Sequence, residues 1–277
     1  MTFRVYEPGP LFPPVSLSRE CRLNCRHCHG HYLEGMTVVA PSDLPEYALT
    51  LAETGARGIL ISGGSDHRGR LLHLDEALDA LAAIRRQTDL VVAIHTGIVD
   101  AGLTAHLAMA CDVAFVDVVG SDDTAREVIG LESAAPYRET MHRLVDAGII
   151  VTPHVTLGLH EGRIVGERAA IEFIASQPVE KTVVNVVCST PGTPFASVSP
   201  PSAAEMAWLF EYTVEQCGTV VLGCMRPRGR PDIEQAAIAA GVHDMVLPSR
   251  ETLEALEADG VAIERLPVCC GLPDCFL

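Results

Sequence analysis

The sequence has few basic residues and no long apolar run. Among its 277 residues, 20 lysines and arginines stand against 36 aspartates and glutamates, and the formal net charge is −16 at pH 7. Nucleic acids and anionic membranes attract positive surface, so this balance argues against a general affinity for either. No apolar run reaches the roughly 18 residues that indicate a transmembrane helix, and residues 1–8 lack the apolar stretch of a signal peptide. We therefore expect a cytoplasmic protein.

Long linkers and compositionally biased segments are also missing. No low-complexity tract, charge block or linker rich in Pro, Gly and Ser divides the chain. The hydrophobic fraction of 48% is sufficient for a core, and α/β barrels commonly reach about 250 residues as one unit. The sequence thus predicts a single domain over residues 1–277, ending in a cysteine-containing tail at about 262–277.

Cysteine, in contrast, is abundant. The ten cysteines are better explained as metal ligands or reduced thiols than as a disulfide framework, because the cytosol keeps thiols reduced. Three lie near the N-terminus, three near the C-terminus and four between them: Cys21, Cys25 and Cys28; Cys269, Cys270 and Cys275; Cys111, Cys188, Cys217 and Cys224. Cys111 and Cys217 stand beside predicted helix ends, and we expect them to be buried packing residues.

The first group forms a C-x3-C-x2-C motif over residues 21–28, here called the cysteine loop. A cubane iron–sulfur cluster has four irons, and thiolates are their usual ligands, so three thiolates leave one iron open. The alternative is a zinc site, but tetrahedral zinc needs a fourth ligand and favours paired C-x2-4-C units. His29 or His31 would be available as that ligand. The spacing favours the cluster.

Short apolar runs alternate with longer stretches of helical spacing along the chain, which is the signal of βα repeats around a parallel sheet. The predicted strands are 15–17, 58–62, 91–95, 113–119, 149–157, 182–187, 219–222 and 244–247. The predicted helices are 43–54, 75–87, 101–110, 137–147, 167–176, 203–216, 232–240 and 250–258. Eight βα units in a chain of this length predict an α/β fold of the (β/α)8 TIM-barrel type, with a partial (β/α)6 barrel as the alternative.

The cysteine loop directly follows the first predicted strand, at the end of the barrel where such folds place their working residues. This motif and the strand ends after it resemble the radical S-adenosylmethionine (SAM) superfamily over essentially the whole chain. The resemblance implies a 4Fe–4S cluster on Cys21, Cys25 and Cys28, with SAM on the open iron. In that family an aromatic residue often precedes the third cysteine and lies near the adenine. His27 stands at this position here.

Two further elements carry the resemblance. Ser62-Gly63-Gly64, at the end of the second predicted strand, resembles a Gly-Gly-Glu element whose backbone holds the methionine amine of SAM, although Ser65 replaces the glutamate. By resemblance, Asn185 would point a carboxamide at SAM or substrate; alternatively, it satisfies buried backbone groups. His95 and His154 also stand at strand ends, but a buried histidine is more often a hydrogen-bonded core residue.

The C-terminal cysteines predict a second metal site. Cys269, Cys270 and Cys275 crowd into a tail that also contains Gly and Pro, and Cys224 follows the seventh predicted strand and would reach the same barrel mouth. Dense cysteines in a reducing compartment usually bind a metal, so we expect an auxiliary iron–sulfur cluster on these four thiols. Alternatively, the cysteines only pack in the core, since free cysteine behaves as a small hydrophobic residue.

The turn at residues 156–162, the Pro-Gly-Thr-Pro piece at 191–194 and the terminal Cys-Cys pair are similar to biotin-synthase-related members of the superfamily. Within that group the sequence resembles the second subunit type of the two-protein lipoyl synthases. The resemblance implies sulfur insertion into an octanoyl chain on a lipoyl carrier domain, with the auxiliary cluster as sulfur donor. It also implies a second radical SAM subunit as partner and an electron donor such as ferredoxin or flavodoxin.

Two alternatives stay open at this point. One is another radical SAM reaction, for example a biotin-synthase-like sulfur insertion into a small molecule. The other is a non-catalytic scaffold that binds a cluster or zinc for a partner enzyme. No catalytic residue is assigned, because none of the motifs identifies the carbon that is attacked.

Overall fold

A curved sheet of eleven parallel strands organises the chain over residues 2–277, the part that this computed structural model describes. The strands are β1 (Thr2–Tyr6), β2 (Pro14–Ser16), β3 (Thr37–Val38), β4 (Gly58–Ser62), β5 (Val91–His95), β6 (Val113–Asp117), β7 (Ile150–Leu157), β8 (Lys181–Val186), β9 (Thr219–Leu222), β10 (Asp244–Val246) and β11 (Ala262–Leu266). Their order across the sheet is β11-β1-β10-β9-β8-β7-β6-β5-β4-β2-β3. From β4 to β10 each strand pairs with the next one in the chain, which is the winding of a βα barrel.

Helices connect most of the strands. They are α1 (Leu44–Glu53), α2 (Leu74–Gln87), α3 (Ala101–Ala110), α4 (Asp122–Thr124), α5 (Ala135–Asp146), α6 (Glu167–Ala175), α7 (Ala203–Cys217), α8 (Pro231–Ala239) and α9 (Arg250–Ala258). A π-helical turn, Ala125–Ile129, continues α4. N-terminal capping defines where two of these helices begin: Ser202 and Glu205 form a capping box at α7, and Ser249 caps α9. Within residues 2–277, none of the helices is long and apolar enough to cross a membrane.

Alternation along the strands produces two cores, one on each face of the sheet. On β6, Ala114 and Val116 belong to the large cluster that the helices cover, whereas Val113 and Phe115 belong to a second cluster, because successive strand residues point to opposite faces. The second cluster is completed by residues 267–277, here called the inner segment. Its Val268, Cys270 and Leu272 are buried against the inward-facing strand residues.

The predicted parallel α/β class is confirmed, and all eight predicted strands are present within two residues of their expected bounds. The sheet is curved but open, since β11 and β3 form its edges and no strand pairing joins them within residues 2–277. The sheet therefore contains the eight predicted βα units, as in the (β/α)8 prediction, but it does not close into a complete barrel, as in the partial-barrel alternative. The physical reason is β1, which the sequence pattern did not predict. This strand occupies the edge of β10 on which β2 would have closed the barrel.

Candidate active site

The carboxyl ends of the strands open into one cavity of about 370 Å³. Because the strands are parallel, residues at those ends converge on one edge of the sheet. The cavity is lined by most of the site residues predicted from the sequence: Cys21, Cys25, Cys28, His27, Ser62, Gly63, Gly64, Asn185, Cys224, Cys269 and Cys270. Cys275 is not part of this lining and is exposed on a short turn, Asp274–Phe276.

Backbone hydrogen bonds hold the cysteine loop between neighbouring strand ends. The Arg22 N–H donates to the Ser65 carbonyl at 2.7 Å, and the Ser65 N–H donates to Cys21 Sγ at 3.4 Å. On the other side, the Arg26 N–H donates to the Val128 carbonyl at 2.7 Å. The loop is therefore attached to the segment after β4 and to the π-helical turn after β6.

The three thiols of the loop differ in exposure and in acidity. Cys25 is 8% exposed, whereas Cys21 and Cys28 are partly exposed. A hydrogen bond from the Cys25 thiol lowers the pKa of Cys28 to about 7. The same contact, followed by burial, raises the pKa of Cys25. Cys28 is thus partly ionised near neutral pH, and the thiolate is the form that binds iron.

This donor set fits an iron–sulfur cluster rather than a single zinc ion. Within residues 2–277, no three His, Cys, Asp or Glu side chains form a group able to hold one metal ion. His29 and His31, the zinc ligands available in the sequence, do not line the cavity, and His31 Nδ1 lies 3.5 Å from Glu34. All three thiols of the loop line the cavity, and three thiolates can bind three of the four irons of a cubane cluster.

The two glycines after β4 allow the loop and the strand to approach each other. Gly63 has a φ of +152°, a conformation that other residues rarely adopt. A Cβ at Gly64 would lie 1.7 Å from the carbonyl oxygen of Glu20 and 2.7 Å from Cys21 Cα. The Ser62 carbonyl accepts a hydrogen bond from the Leu17 N–H at 3.0 Å. The glycines therefore act first as packing residues for the cysteine loop.

We expect Gly64→Ala to weaken cluster binding by about 10- to 100-fold, because the new methyl group would displace Glu20 and Cys21. Chelator titration of the anaerobically reconstituted protein, followed by its visible absorbance, measures the effect. Gly35→Ala is the matched control, since a Cβ there meets nothing within 4 Å. An equal loss in the two variants would contradict the prediction.

Asn185 lines the cavity and has a buried side-chain oxygen without a hydrogen-bond partner among the described residues. The residue is 7% exposed, and its Oδ1 has no hydrogen-bond partner within residues 2–277. A Cβ at Gly223, just after β9, would lie 2.1 Å from this oxygen, so the glycine makes room for the carboxamide. An unpaired buried polar group costs about 1–3 kcal/mol. This cost indicates a bound ligand as the missing partner, which fits SAM or substrate.

His27 lines the same cavity and is also incompletely paired. Its Nδ1 is buried without a hydrogen-bond partner within residues 2–277. Burial, with a smaller effect from His29, lowers the pKa of His27 to about 4, so the ring is neutral at pH 7. Its ring centroid lies 6.5 Å from that of Tyr32 and 6.2 Å from that of Phe195. A neutral ring among aromatic neighbours suits a stacked nucleobase.

His95 and His154 lie side by side in the lining of the cavity. Their ring centroids are 4.9 Å apart, and Phe115 lies 5.6 Å from His95 and 5.3 Å from His154. His154 Nδ1 is 3.2 Å from the Thr152 carbonyl oxygen. Burial, and secondarily His95, lowers the pKa of His154 well below its usual value. His154 is therefore neutral at pH 7.

The free energy of unfolding should fall as the pH drops below about 6.5, the usual pKa of histidine. There the unfolded chain protonates His154, whereas the folded chain keeps it neutral because its pKa is lowered. The unfolded state binds one more proton, so stability falls by about 1.4 kcal/mol per pH unit from this residue alone. Urea titrations of the cluster-free protein at several pH values measure the slope.

His154→Phe should reduce that slope, because it removes the group that the unfolded state protonates. His106→Phe, an exposed replacement on α3, is the control and should leave the slope as in the wild type. If His154→Phe and the wild type lose stability equally on acidification, the prediction is wrong.

Glu167, which sequence reasoning did not single out, organises the turn after β7. It is 6% exposed, and its carboxylate accepts the Gly158 N–H at 2.8 Å and two N–H groups just before α6 at 2.7 and 3.0 Å. Glu161, in the same turn, instead pairs with Arg26 of the cysteine loop at 2.8 Å. The only feature of the sequence that could have indicated Glu167 is its place as an acidic residue at the start of a predicted helix.

The second group of cysteines borders the same cavity as the first. Cys224 follows β9, and Cys269 and Cys270 belong to the inner segment. A hydrogen bond from the Cys270 thiol lowers the pKa of Cys269, and the same contact raises the pKa of Cys270. Cys188, after β8, is a further thiol near Cys224; burial chiefly raises its pKa to about 11, and Cys224 adds to the shift. Three of the four thiols predicted for a second cluster, Cys224, Cys269 and Cys270, thus line the cavity that the cysteine loop borders.

Comparisons with known proteins agree with this geometry. The sequence model of the radical SAM superfamily matches residues 15–163. Methylornithine synthase has 12% identity and a TM-score of 0.63, over 95% of this chain and 84% of its own. The FeFe-hydrogenase maturase HydG from Carboxydothermus hydrogenoformans has 14% identity and a TM-score of 0.65, over 94% and 68%. SuiB from Streptococcus suis, solved with bound S-adenosylmethionine, has 14% identity and a TM-score of 0.54, over 74% and 47%. No curated protein gives a significant match.

Identities this low establish a shared fold and carry no activity across. The family match is stronger, because it covers more than half of the chain and includes both the cysteine loop and the Ser62-Gly63-Gly64 turn. The superfamily implies a 4Fe–4S cluster and SAM as cofactors, and the residues of the cavity fit both groups. The chain therefore belongs to the radical SAM superfamily.

Proposed function

We propose that this radical SAM enzyme inserts sulfur into an octanoyl chain on a lipoyl carrier domain, together with a second radical SAM subunit. The observation that supports it most directly is the pair of cysteine groups on one cavity. Cys21, Cys25 and Cys28 line this cavity, and so do Cys224, Cys269 and Cys270. A reaction that generates a carbon radical and then adds sulfur to it needs two such groups within reach of one substrate.

In this proposal the residues of the chain have separate tasks. The cysteine loop holds the SAM-binding cluster, while Ser62, Gly63 and Gly64, together with His27 and Asn185, bind SAM. When bound, the cluster and SAM supply the one-electron chemistry that attacks an unactivated C–H bond. The protein orients both reactants and excludes water, which is its usual contribution in cofactor enzymes.

The lining of the cavity suits an alkyl chain. Its apolar members include Leu23, Val119, Ile129 and Leu159, and Asp117 and Glu167 are its only charged residues within the described chain. The Glu167 carboxylate is occupied by three backbone N–H groups. An octanoyl chain would therefore meet mainly apolar side chains, and burying it would contribute about 0.8 kcal/mol per CH₂ group.

Cys224, Cys269 and Cys270 are proposed as ligands of the auxiliary cluster, which would be the source of sulfur. Cys275, predicted from the sequence as a further ligand, lies outside the cavity. Cys188 is also absent from the cavity lining, but it is a second candidate for the remaining position because it is close enough to Cys224 for that thiol to raise its pKa. Comparing the iron content of Cys188→Ala and Cys275→Ala after reconstitution identifies which thiol completes the set.

The proposal is tested by following sulfur addition to an octanoyl-lysine peptide, and to a complete octanoyl carrier domain, by mass spectrometry. The reconstituted protein is incubated anaerobically with SAM and a ferredoxin or flavodoxin system, alone and with a candidate partner subunit. We expect a mass gain of sulfur only when the partner is present. Mixtures without SAM, and with the partner alone, are the controls.

Other outcomes identify the alternatives. Formation of 5′-deoxyadenosine without sulfur gain under any partner condition would reject the lipoyl assignment and leave another radical SAM reaction, such as biotin-synthase-like sulfur insertion into a small molecule. An intact cluster with no 5′-deoxyadenosine would favour the non-catalytic scaffold.

A further inference from the structure

Lys181 is the only lysine in the sequence, and it is buried. It begins β8 and is 2% exposed. Lys181, Val183 and Asn185 alternate along β8, and Val183 belongs to the cluster that the inner segment completes. The lysine therefore lies on the inner face of the sheet, two inward-facing positions from Asn185 in the cavity wall. Lysine is almost never fully buried unless its charge is paired.

The Lys181 ammonium group has partners for its donors. Its Nζ donates to the Leu272 carbonyl at 2.6 Å and to the Tyr6 hydroxyl at 3.0 Å, and Asp274 Oδ1 lies 3.6 Å away. The Tyr6 hydroxyl in turn donates to Asp244 Oδ1 at 2.8 Å. Two of these partners, Leu272 and Asp274, belong to the inner segment. The lysine thus links the inner segment to β1 and β8.

Two other contacts fix the same part of the inner segment. The Thr152 hydroxyl on β7 donates to the Gly271 carbonyl at 2.7 Å. The Arg4 guanidinium on β1 donates hydrogen bonds to both carboxylate oxygens of Asp274, at 2.7 and 3.2 Å. Together with the lysine, these contacts anchor residues 271–274. These residues directly follow the two cysteines that line the cavity.

The anchored residues 271–274 are also bonded directly to the cysteine pair. The Leu272 N–H donates to the Cys269 carbonyl at 3.1 Å, which closes a turn that contains both cysteines. The carbonyl of the same Leu272 accepts the hydrogen bond from Lys181. Gly271 packs so closely on Phe115 that a Cβ there would lie 2.5 Å from the ring. The turn has little freedom to move while its two carbonyls stay bonded.

We propose that Lys181 is a positioning residue that holds Cys269 and Cys270 in the cavity wall by anchoring the inner segment. Their role as cluster ligands rests on the proposed function; the anchoring itself does not. A cation is suited to this task because hydrogen bonds to charged groups are stronger than neutral ones. Removing the lysine would leave the Leu272 carbonyl and the Tyr6 hydroxyl with one partner fewer.

Hydrogen–deuterium exchange on the full chain, reconstituted anaerobically with iron and sulfide, tests this inference. In Lys181→Met, amides of residues 267–277 should exchange at least about tenfold faster than in the wild type, because loss of a charge-assisted hydrogen bond favours local opening. Peptides that cover β6 should exchange at the wild-type rate. Arg250→Met is the matched control, since it replaces a 90% exposed cation by the same residue, and should change neither region.

A second variant keeps the inference testable if Lys181→Met does not fold. Thr152→Val removes the bond to the Gly271 carbonyl without leaving a buried charge unpaired, and it should accelerate exchange in residues 267–277 in the same direction. Unchanged exchange of that region in both variants would overturn the inference. So would equal acceleration at β6 in both variants, since this would show a general loss of stability.

Iron analysis separates this inference from the proposed function. If both hold, the wild type binds about eight irons per chain and Lys181→Met about four, with SAM cleavage retained. A wild type with only about four irons would contradict the auxiliary cluster, and the exchange data would still decide whether Lys181 anchors the inner segment. Full iron content in Lys181→Met despite faster exchange would overturn the positioning of Cys269 and Cys270 as ligands.

Discussion

Cys25→Ala is expected to abolish SAM cleavage. Loss of a direct ligand should reduce the rate by more than about a hundredfold, since mutating residues that only support a ligand already costs about 10- to 100-fold. Cys25 is the most buried thiol of the cysteine loop, so no solvent-exposed group takes its place readily. Formation of 5′-deoxyadenosine after anaerobic incubation with SAM and dithionite is the measurement, together with the visible absorbance of the cluster.

Cys217→Ala provides a close control for this experiment. Cys217 is 7% exposed and Cys25 8%, but Cys217 ends α7 and packs in the core between the helices and the sheet. Both variants lose a buried thiol, and only one loses a predicted ligand. SAM cleavage should therefore survive in Cys217→Ala. Equal loss of activity in both would show that cysteine burial, and not cluster binding, explains the effect.

The double variant Cys269→Ala/Cys270→Ala is expected to separate SAM cleavage from sulfur insertion. These thiols line the cavity without belonging to the cysteine loop, so the first cluster should form and 5′-deoxyadenosine should still appear. Iron content should fall from about eight to about four per chain, and sulfur transfer to the octanoyl substrate should be lost. Iron analysis and substrate mass spectrometry measure the two effects on one preparation.

Cys275→Ala/Cys111→Ala is the matched double replacement. Cys275 is exposed and lies outside the cavity. Cys111 is buried in the large core cluster that the helices cover, where its thiol donates to the Leu107 carbonyl at 3.3 Å. Retention of all iron in this control and loss of half in the Cys269/Cys270 variant would support the proposed ligands. If the control also loses the auxiliary cluster, Cys275 is a ligand and the inner segment must rearrange on cluster binding.

The sequence was sufficient for features that depend on local patterns. The three cysteines of the loop are close in sequence, so any fold brings their thiols near one another, and their spacing, together with the βα pattern that follows, favoured an iron–sulfur cluster. The eight predicted strands are apolar runs bounded by turn residues, and all eight are present. Parallel winding then placed Ser62 and Asn185 at the same edge of the sheet, as expected from the order of the strands.

Other features depended on contacts between distant parts of the chain. Asn185 was singled out by resemblance, but its unpaired oxygen and its close approach to Gly223 are visible only in the folded chain. Glu167 gave only the weak signal of an acidic helix start, because its three hydrogen bonds depend on how the turn after β7 folds back. β1 pairs with the edge strand β11 across about 260 residues of sequence, and short strands with such distant partners have no distinctive sequence pattern.

The amino-acid sequence by itself therefore determined the parallel α/β class through its periodicity, and the superfamily through the resemblance carried by the cysteine loop, because both depend on local patterns. Only the tertiary structure decided that the sheet stays open, that Cys275 lies outside the cavity, and that the inner segment returns to the concave face with Cys269 and Cys270. The physical reason is that all three depend on contacts between residues far apart in sequence: β1 pairs with β10, and the inner segment is held by its buried apolar side chains and by hydrogen bonds from Thr152 and Lys181.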